Sequence, residues 1–374
     1  MKISNIKPIK ILDSRGEETI KVTIETDKAI ASACIPQGKS TGKYEAVSLP
    51  ADKAIENIKK KISPQLVERE INSQQELDQL LLKLDNSEDK SNLGANAILG
   101  VSLAFARAFS RSQNKKLYQY IGELLKKEPT EFNDMWLLFN IINGGAHSPT
   151  KRPQIQEYLI LLKFKNGEGI WQATEIHHKL KEKLKIGVGD EGGFVVKEMD
   201  NEKPLEIISQ TIQEANLGGK VRLGLDVAAS QFDKDLDILS LIKKYNLLYV
   251  EDPLSEEEWK KFRDLKEKIK GDSLIVGDDL TVSNPKRIKK AVEENSIHGV
   301  IIKPNQIGTL SECLEAIKTA QENNLKVIIS HRSGETCDPF IADLAVACGA
   351  WGFKAGAPYG GERVAKYNRL LAII

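Results

Sequence analysis

Cysteine is scarce in this chain. Its 374 residues hold four, Cys34, Cys313, Cys337 and Cys348, and they form neither a CxxC pair nor a zinc-type spacing. That scatter argues against a disulfide-built secreted scaffold and a thiolate metal site, and it reads as reduced thiols in a cytoplasmic protein. Charge imbalance is missing too. The 54 Lys and Arg nearly cancel the 53 Asp and Glu, leaving a net charge of +1. Bulk charge therefore points to no nucleic acid and no membrane surface as a partner. Long apolar runs are absent. Residues 1–10 alternate Ile with Lys and Asn and lack the apolar region of a signal peptide. Nothing approaches the ~20 consecutive apolar residues of a membrane span. No low-complexity tract interrupts the chain.

A repeat fills the second half. About every 25 residues, the length of a βα unit in a barrel, a short apolar run ends in a charged residue. Leu223-Gly224-Leu225 leads into Asp226, Leu248-Tyr249-Val250 into Glu251, and Ile275-Val276-Gly277 into Asp278. Val300-Ile301-Ile302 leads into Lys303, residues 327–330 into His331, and Trp351-Gly352-Phe353 into Lys354. Such runs read as parallel strands buried on both faces. The segments between them, such as 256–269 and 284–294, read as amphipathic helices. Reactive groups at strand C-termini are how a (β/α) barrel builds a site. The length suffices for a barrel of about 250 residues plus a smaller domain. The fold class is thus α/β.

Upstream, residues 1–35 read as a β-meander, with Ile20, Val22 and Ile24 on one face of a half-buried strand. The loop 36–42 is rich in hydroxyls. Helices are expected over 51–62, 74–85 and 94–110, the last full of small residues suited to close packing. The charged stretch 126–134, with Pro129, reads as a linker. Buried-strand character begins at Trp136.

Asp226, Glu251 and Asp278 fall at equivalent points of successive units. Any one could be a helix cap, but three carboxylates brought together raise each other's pKa and invite a divalent cation. An all-oxygen set favours Mg²⁺ or Mn²⁺ over zinc. Lys303, close to such a site, is expected to have a lowered pKa and to serve as a general base, with Lys354 depressing it further. His331-Arg332-Ser333-Gly334 at a strand end suits a phosphate or carboxylate. Residues 187–192 match GxGxxG formally. Two carboxylates in that loop and a poor preceding strand argue against a dinucleotide, so it reads as a loop presenting Glu191. Asn143-Gly144-Gly145-Ala146 presents His147, and Gln156-Glu157 precedes an apolar run. His177-His178 reads as a solvated helix face and His298 as structural. A lysine beside a metal is the equipment for removing the proton next to a carboxylate.

These residues resemble the enolase family over nearly the whole chain. The likeness runs through Ile11-Leu12-Asp13-Ser14-Arg15-Gly16, Ser40-Thr41-Gly42, residues 93–104 and residues 141–147. It continues through Val188-Gly189-Asp190-Glu191-Gly192-Gly193-Phe194, Leu225-Asp226-Val227-Ala228-Ala229-Ser230, Glu251-Asp252-Pro253 and Gly277-Asp278-Asp279. It ends with Asn305-Gln306-Ile307-Gly308, residues 330–336, Glu362-Arg363 and residues 365–368. Sites of this superfamily are themselves the standing example of a lysine or histidine base beside Mg²⁺.

The resemblance implies a modified (β/α)8 TIM-type barrel over 126–374 with an N-terminal α+β cap over 1–125. It implies reversible dehydration of 2-phospho-D-glycerate to phosphoenolpyruvate with two Mg²⁺ per site, in a cytoplasmic homodimer. Asp226, Glu251 and Asp278 would hold the first Mg²⁺, and Ser40 would join the second. Lys303 would take the C2 proton, and Lys354 would stabilise the enolate. Glu191, helped by Glu157, would protonate the departing hydroxyl. His147 and Gln156 would line the pocket. Arg332 and Ser333 would grip the phosphate beside His331. Gln37 and Lys39 depart from the usual Ser and Ala, and Lys39 adds a cation near the second metal. The stretches after His178 and Phe232 are short. Two other readings share much of this set: a racemase or sugar-acid dehydratase of the same superfamily, and a catalytically impaired homologue acting as a scaffold or binding protein.

Overall fold

The computed structural model describes residues 1–39, 42–127, 132–147, 153–231 and 236–374. Three N-terminal strands, β1 (Ile3–Leu12), β2 (Glu18–Thr26) and β3 (Ile30–Cys34), form the expected antiparallel meander. Ile20, Val22 and Ile24 alternate inward, as a period of two requires. Their face is covered by the helix Ala95–Ser112. Its small residues allow that approach, since a Cβ on Gly100 would stand 2.5 Å from Val22 Cγ2. The helix expected over 51–62 runs on to Leu66 through a wider turn at Ile58–Ile62, and Gln74–Asp85 falls where the sequence put it. The Pro129 part of the expected linker lies outside the described residues.

The remaining strands are β4 (Trp136–Asn143), β5 (Glu157–Lys163), β6 (Phe194–Val195), β7 (Arg222–Asp226) and β8 (Tyr249–Glu251). They continue with β9 (Leu274–Gly277), β10 (Gly299–Ile302), β11 (Lys326–Ser330) and β12 (Gly352–Lys354). Among the described residues eight of them close a ring in the order β4-β5-β7-β8-β9-β10-β11-β12, with β12 pairing back to β4. The two-residue β6 adds to β4 outside the ring. Six strands, β7 to β12, are the apolar runs of the repeat and pair in parallel. β5 is antiparallel to both β4 and β7. An antiparallel strand starts where its neighbours end, so Glu157, at the beginning of β5, reaches the same rim as Asp226 at the end of β7.

Pleating then fixes what faces inward. Leu159, Leu161, Tyr249, Val276, Ile301 and Ile328 belong to one buried cluster inside the ring. Side chains two apart share a face. The next rung above Tyr249 is Glu251, above Val276 is Asp278, above Ile301 is Lys303, and above Leu159 in antiparallel β5 is Glu157. The charged rim is the last layer of an apolar core.

The meander and its helices dock on that rim. Ser14 N donates to Glu335 O at 2.7 Å, and Gln37 and Gly334 exchange backbone hydrogen bonds of 2.8 and 2.9 Å. Buried Asp78 accepts from Ser311 N at 2.9 Å, and Lys90 pairs with Glu312 at 2.7 Å. Among the described residues no helix is long and apolar enough to cross a membrane.

Candidate active site

Strand register sets the carboxylates side by side. Glu157 lies opposite Asp226 across β5 and β7, and Asp226 opposite Glu251 across β7 and β8. Lys354, at the end of β12, reaches all three. Its Nζ stands 2.7 Å from Glu251 Oε2, 2.9 Å from Asp226 Oδ2 and 3.2 Å from Glu157 Oε2. Tyr249, one rung below, donates its hydroxyl to Glu251 Oε2 at 2.5 Å. Burial disfavours the Lys354 charge, but Asp226, Glu157 and Glu251 outweigh it and hold its pKa well above the usual value. Burial and then Asp226 push Glu251 up to about 8, against the pull of Lys354.

Across the rim, Lys303 forms an ion pair with Asp278. The protein groups around Lys303 run against the expected lowering of its pKa. Burial does lower it, and Lys354 acts in that direction, but Asp278 in direct contact outweighs both and raises it. By the same pairing Asp278 falls below the usual carboxylate range although burial pushes it up. Gln306 Nε2 donates to the other oxygen of Asp278 at 3.1 Å.

Glu191 is carried in on the loop before β6. Burial and then Glu191 raise Glu157 well above the usual range, against the pull of Lys354. Asn140 Nδ2 donates to Glu191 Oε2 at 2.9 Å. His331 Nε2 faces the same oxygen at 3.7 Å, too far for a hydrogen bond. Burial, aided by Arg363 and opposed by Glu191, drives the His331 pKa well below normal. Arg363 has only donors and one of them meets His331 Nδ1. The neutral ring therefore carries its proton on Nε2, toward Glu191.

His177, expected on a solvated helix face, is instead buried. It hydrogen-bonds Gly192 O at 3.0 Å and stacks on Phe194 and Tyr359, so it braces the Glu191 loop. Only His178 is exposed. His298 is structural as expected, its Nδ1 accepting from Ile275 N at 3.0 Å.

Arg332 is held by Glu45, with contacts of 2.8 and 3.2 Å, and by Asn305 Oδ1 at 3.1 Å. Ser333 Oγ accepts from Lys39 N at 2.7 Å. The Lys39 ammonium lies 3.8 Å from Asp190. Gln156 and Glu157 share one pocket with Glu191, Asp226, Asp278, Lys303, His331, Arg332, Ser333 and Lys354. His147 enters only as backbone, ending the short turn Gly145–His147, and its side chain lies outside what is described. Ser40 lies outside the described residues.

The sequence reading passed over Asp252 and Asp279. One oxygen of each and one of Asp278 lie within 4.8 Å of one another. Asp252 accepts from Asp278 N and Asp279 N at 3.0 and 2.7 Å, which fixes the turn that carries Asp278. Burial and then Asp278 push Asp279 up to about 7. The signal was present in the acidic doublets Glu251-Asp252 and Asp278-Asp279. Arg363 entered only within the matched pair Glu362-Arg363, and Asn140 and Glu45 gave no signal.

The donors suit a hard divalent cation. They are all carboxylate oxygens, and the buried Glu251 Oε1 has no hydrogen-bond partner among the described residues. An eight-stranded barrel that gathers such carboxylates and two lysines at its strand ends defines a barrel enzyme with a hard-cation site. Comparison narrows this. Residues 3–121 match the family model "Enolase, N-terminal domain", and residues 136–239 and 235–374 match "Enolase, C-terminal TIM barrel domain". The chain is 39% identical to the enolase of Wolinella succinogenes, over 99% of this chain and 96% of the relative. It is 38% identical to that of Methanopyrus kandleri, over 100% and 95%. The chain belongs to the enolase family and is a phosphopyruvate hydratase.

Proposed function

We propose that the rim converts 2-phospho-D-glycerate to phosphoenolpyruvate and back with Lys303 as base and Glu191 as acid. One observation carries the reading. In the eight-stranded ring β5 and β10 stand four strands apart in either direction. The Glu157–Glu191 pair and Lys303 therefore face each other across the mouth. That is the arrangement needed to take a proton from one carbon and a hydroxyl from the next.

Lys303 Nζ removes the C2 proton. Lys354, held charged by its three carboxylates, faces the negative charge that grows on the substrate carboxylate, a contact stronger in the transition state than before it. Glu191, helped by Glu157, protonates the C3 hydroxyl, which leaves as water. The neutral His331 holds the tautomer that faces Glu191. Arg332 and Ser333 hold the phosphate, and Gln156 and His147 line the pocket. Asp226, Glu251 and Asp278 would hold one Mg²⁺ and Ser40 would join a second. When bound, the cations offset carboxylate repulsion and stabilise negative charge on the substrate. Lys303 must shed its Asp278 partner to act as base, so it is poised only when that carboxylate is otherwise engaged.

We further assign residues 1–125 to a cap and 126–374 to the barrel, and place the protein in the cytoplasm as a homodimer. Four unpaired thiols support the compartment. The test is the ultraviolet absorbance of the conjugated product during incubation with 2-phospho-D-glycerate while Mg²⁺ is raised from zero. A metal-dependent rise is expected. A folded, metal-binding protein without turnover would favour the scaffold reading.

A further inference from the structure

Glu45 lies just past the loop 36–42, yet its side chain is only 6% exposed. Its Oε1 accepts from Gly42 N at 3.0 Å, from Gln306 Nε2 at 3.3 Å and from Arg332 Nη2 at 3.2 Å. Its Oε2 accepts from Arg332 Nη1 at 2.8 Å. Gln306 Nε2 also reaches Asp278 Oδ1 at 3.1 Å. One side chain thus touches the end of the loop, the guanidinium at the rim, and the amide that steadies a metal-site carboxylate. A carboxylate would repel a phosphate, so Glu45 is no ligand for one. A two-pronged carboxylate instead fixes the plane of a guanidinium and the direction of its remaining N–H groups.

The backbone beneath it is anchored on both sides. The Tyr44 ring lies 4.0 Å from the Arg287 guanidinium. Arg287 is itself tied to Leu280 O at 2.8 Å and Glu256 O at 3.1 Å. Ala46 N donates to Gln306 O at 2.8 Å.

We propose that Glu45 is a positioning residue that sets Arg332 for the substrate's phosphate and couples that grip to the base of the loop. The inference rests on the proposed phosphate role of Arg332. It predicts that length matters as well as charge. Glu45→Asp keeps the carboxylate but shortens its reach, and the anchored backbone cannot follow. Titration calorimetry with phosphoenolpyruvate in Mg²⁺ buffer should show affinity weakened about tenfold, the scale of one charged hydrogen bond. KM for 2-phospho-D-glycerate should rise more than kcat falls. In an Arg332→Lys background the same change should have little further effect, because Glu45 acts through that guanidinium. An undiminished effect there would mean a merely structural role.

Wild-type affinity in Glu45→Asp overturns the proposal if Arg332→Lys alone weakens binding. If Arg332→Lys binds normally as well, it is the phosphate role of Arg332 that fails. Should Glu45→Asp not fold, Tyr44→Ala, at a 39% exposed position, releases the same anchor and should weaken binding severalfold. Unchanged binding in that variant would then count against the proposal.

Discussion

The Lys303 ammonium is held by one carboxylate and Lys354 by three, and that difference separates their jobs. A lysine buried among three carboxyls holds its proton tightly, so it serves as a fixed charge. A lysine with one partner can be freed when that partner turns elsewhere. Lys354→Met leaves Asp226, Glu251 and Glu157 buried without their cation. In chelated, metal-free protein it should cost about 3–5 kcal/mol of unfolding free energy in a urea titration. Added Mg²⁺ should raise the melting temperature of this variant more than that of wild type, and an equal rise would argue against a cation site there. Lys39 tests a smaller claim. Its ammonium stands 3.8 Å from Asp190, and Lys39 directly precedes Ser40 in the sequence. Lys39→Ala should shift the Mg²⁺ concentration for half-maximal activity, and an unmoved titration would show that Lys39 is no part of metal use.

At the level of elements, the site is a consequence of register. Pairing of β5 antiparallel to β7 and of β7 parallel to β8 brings three carboxylates to one height, and the pleat turns them inward. The same scale holds His298, between β9 and β10. Burial and then Lys266 lower its pKa from 6.5 to about 4. Between those values the unfolded chain binds a proton that the folded protein refuses, so stability falls as pH drops from 6.5 toward 4 and is retained above 6.5. His298→Asn should flatten the melting temperature over that window, as scanning calorimetry would show. An unaltered slope would remove His298 as its source. Gly100 marks where the Ala95–Ser112 helix meets β2. Gly100→Ala should destabilise by about 1–3 kcal/mol through overpacking against Val22. A denaturant midpoint equal to wild type would show that the contact can relax.

For the molecule as a whole, much was legible beforehand, and the omissions have physical causes. The apolar runs ending in Asp226, Glu251, Asp278, Lys303 and Lys354 gave the barrel, because parallel strands buried on both faces write themselves as continuous apolar sequence. The reversed β5 was not read, since direction leaves no trace in a run such as Tyr158-Leu159-Ile160-Leu161-Leu162. The rise in the Lys303 pKa was missed because it depends on one short contact across two strand ends. His177 was misjudged because the lysines that follow it drew the reading to solvent, although it falls on the buried stripe of its helix with Ile170, Ala173, Ile176 and Leu180, where it packs against Phe194 and Tyr359. Glu45 was passed over because its partners Gln306 and Arg332 lie 261 and 287 residues away, and Arg363 because its role depends on contacts with His331, Arg332 and Ser333, 30–32 residues back, and with Asp190, 173 residues back.

The central claim is that base and acid stand on opposite sides of one mouth, each with its own bond to break. Deuterium incorporation at C2 of 2-phospho-D-glycerate, followed by nuclear magnetic resonance beside product formation, separates the two. Lys303→Ala should lose C2 exchange by roughly a thousandfold or more while still binding substrate. Glu191→Gln should keep C2 exchange and lose formation of phosphoenolpyruvate. Exchange at wild-type rate in Lys303→Ala, or loss of exchange and elimination together in Glu191→Gln, would contradict the assignment.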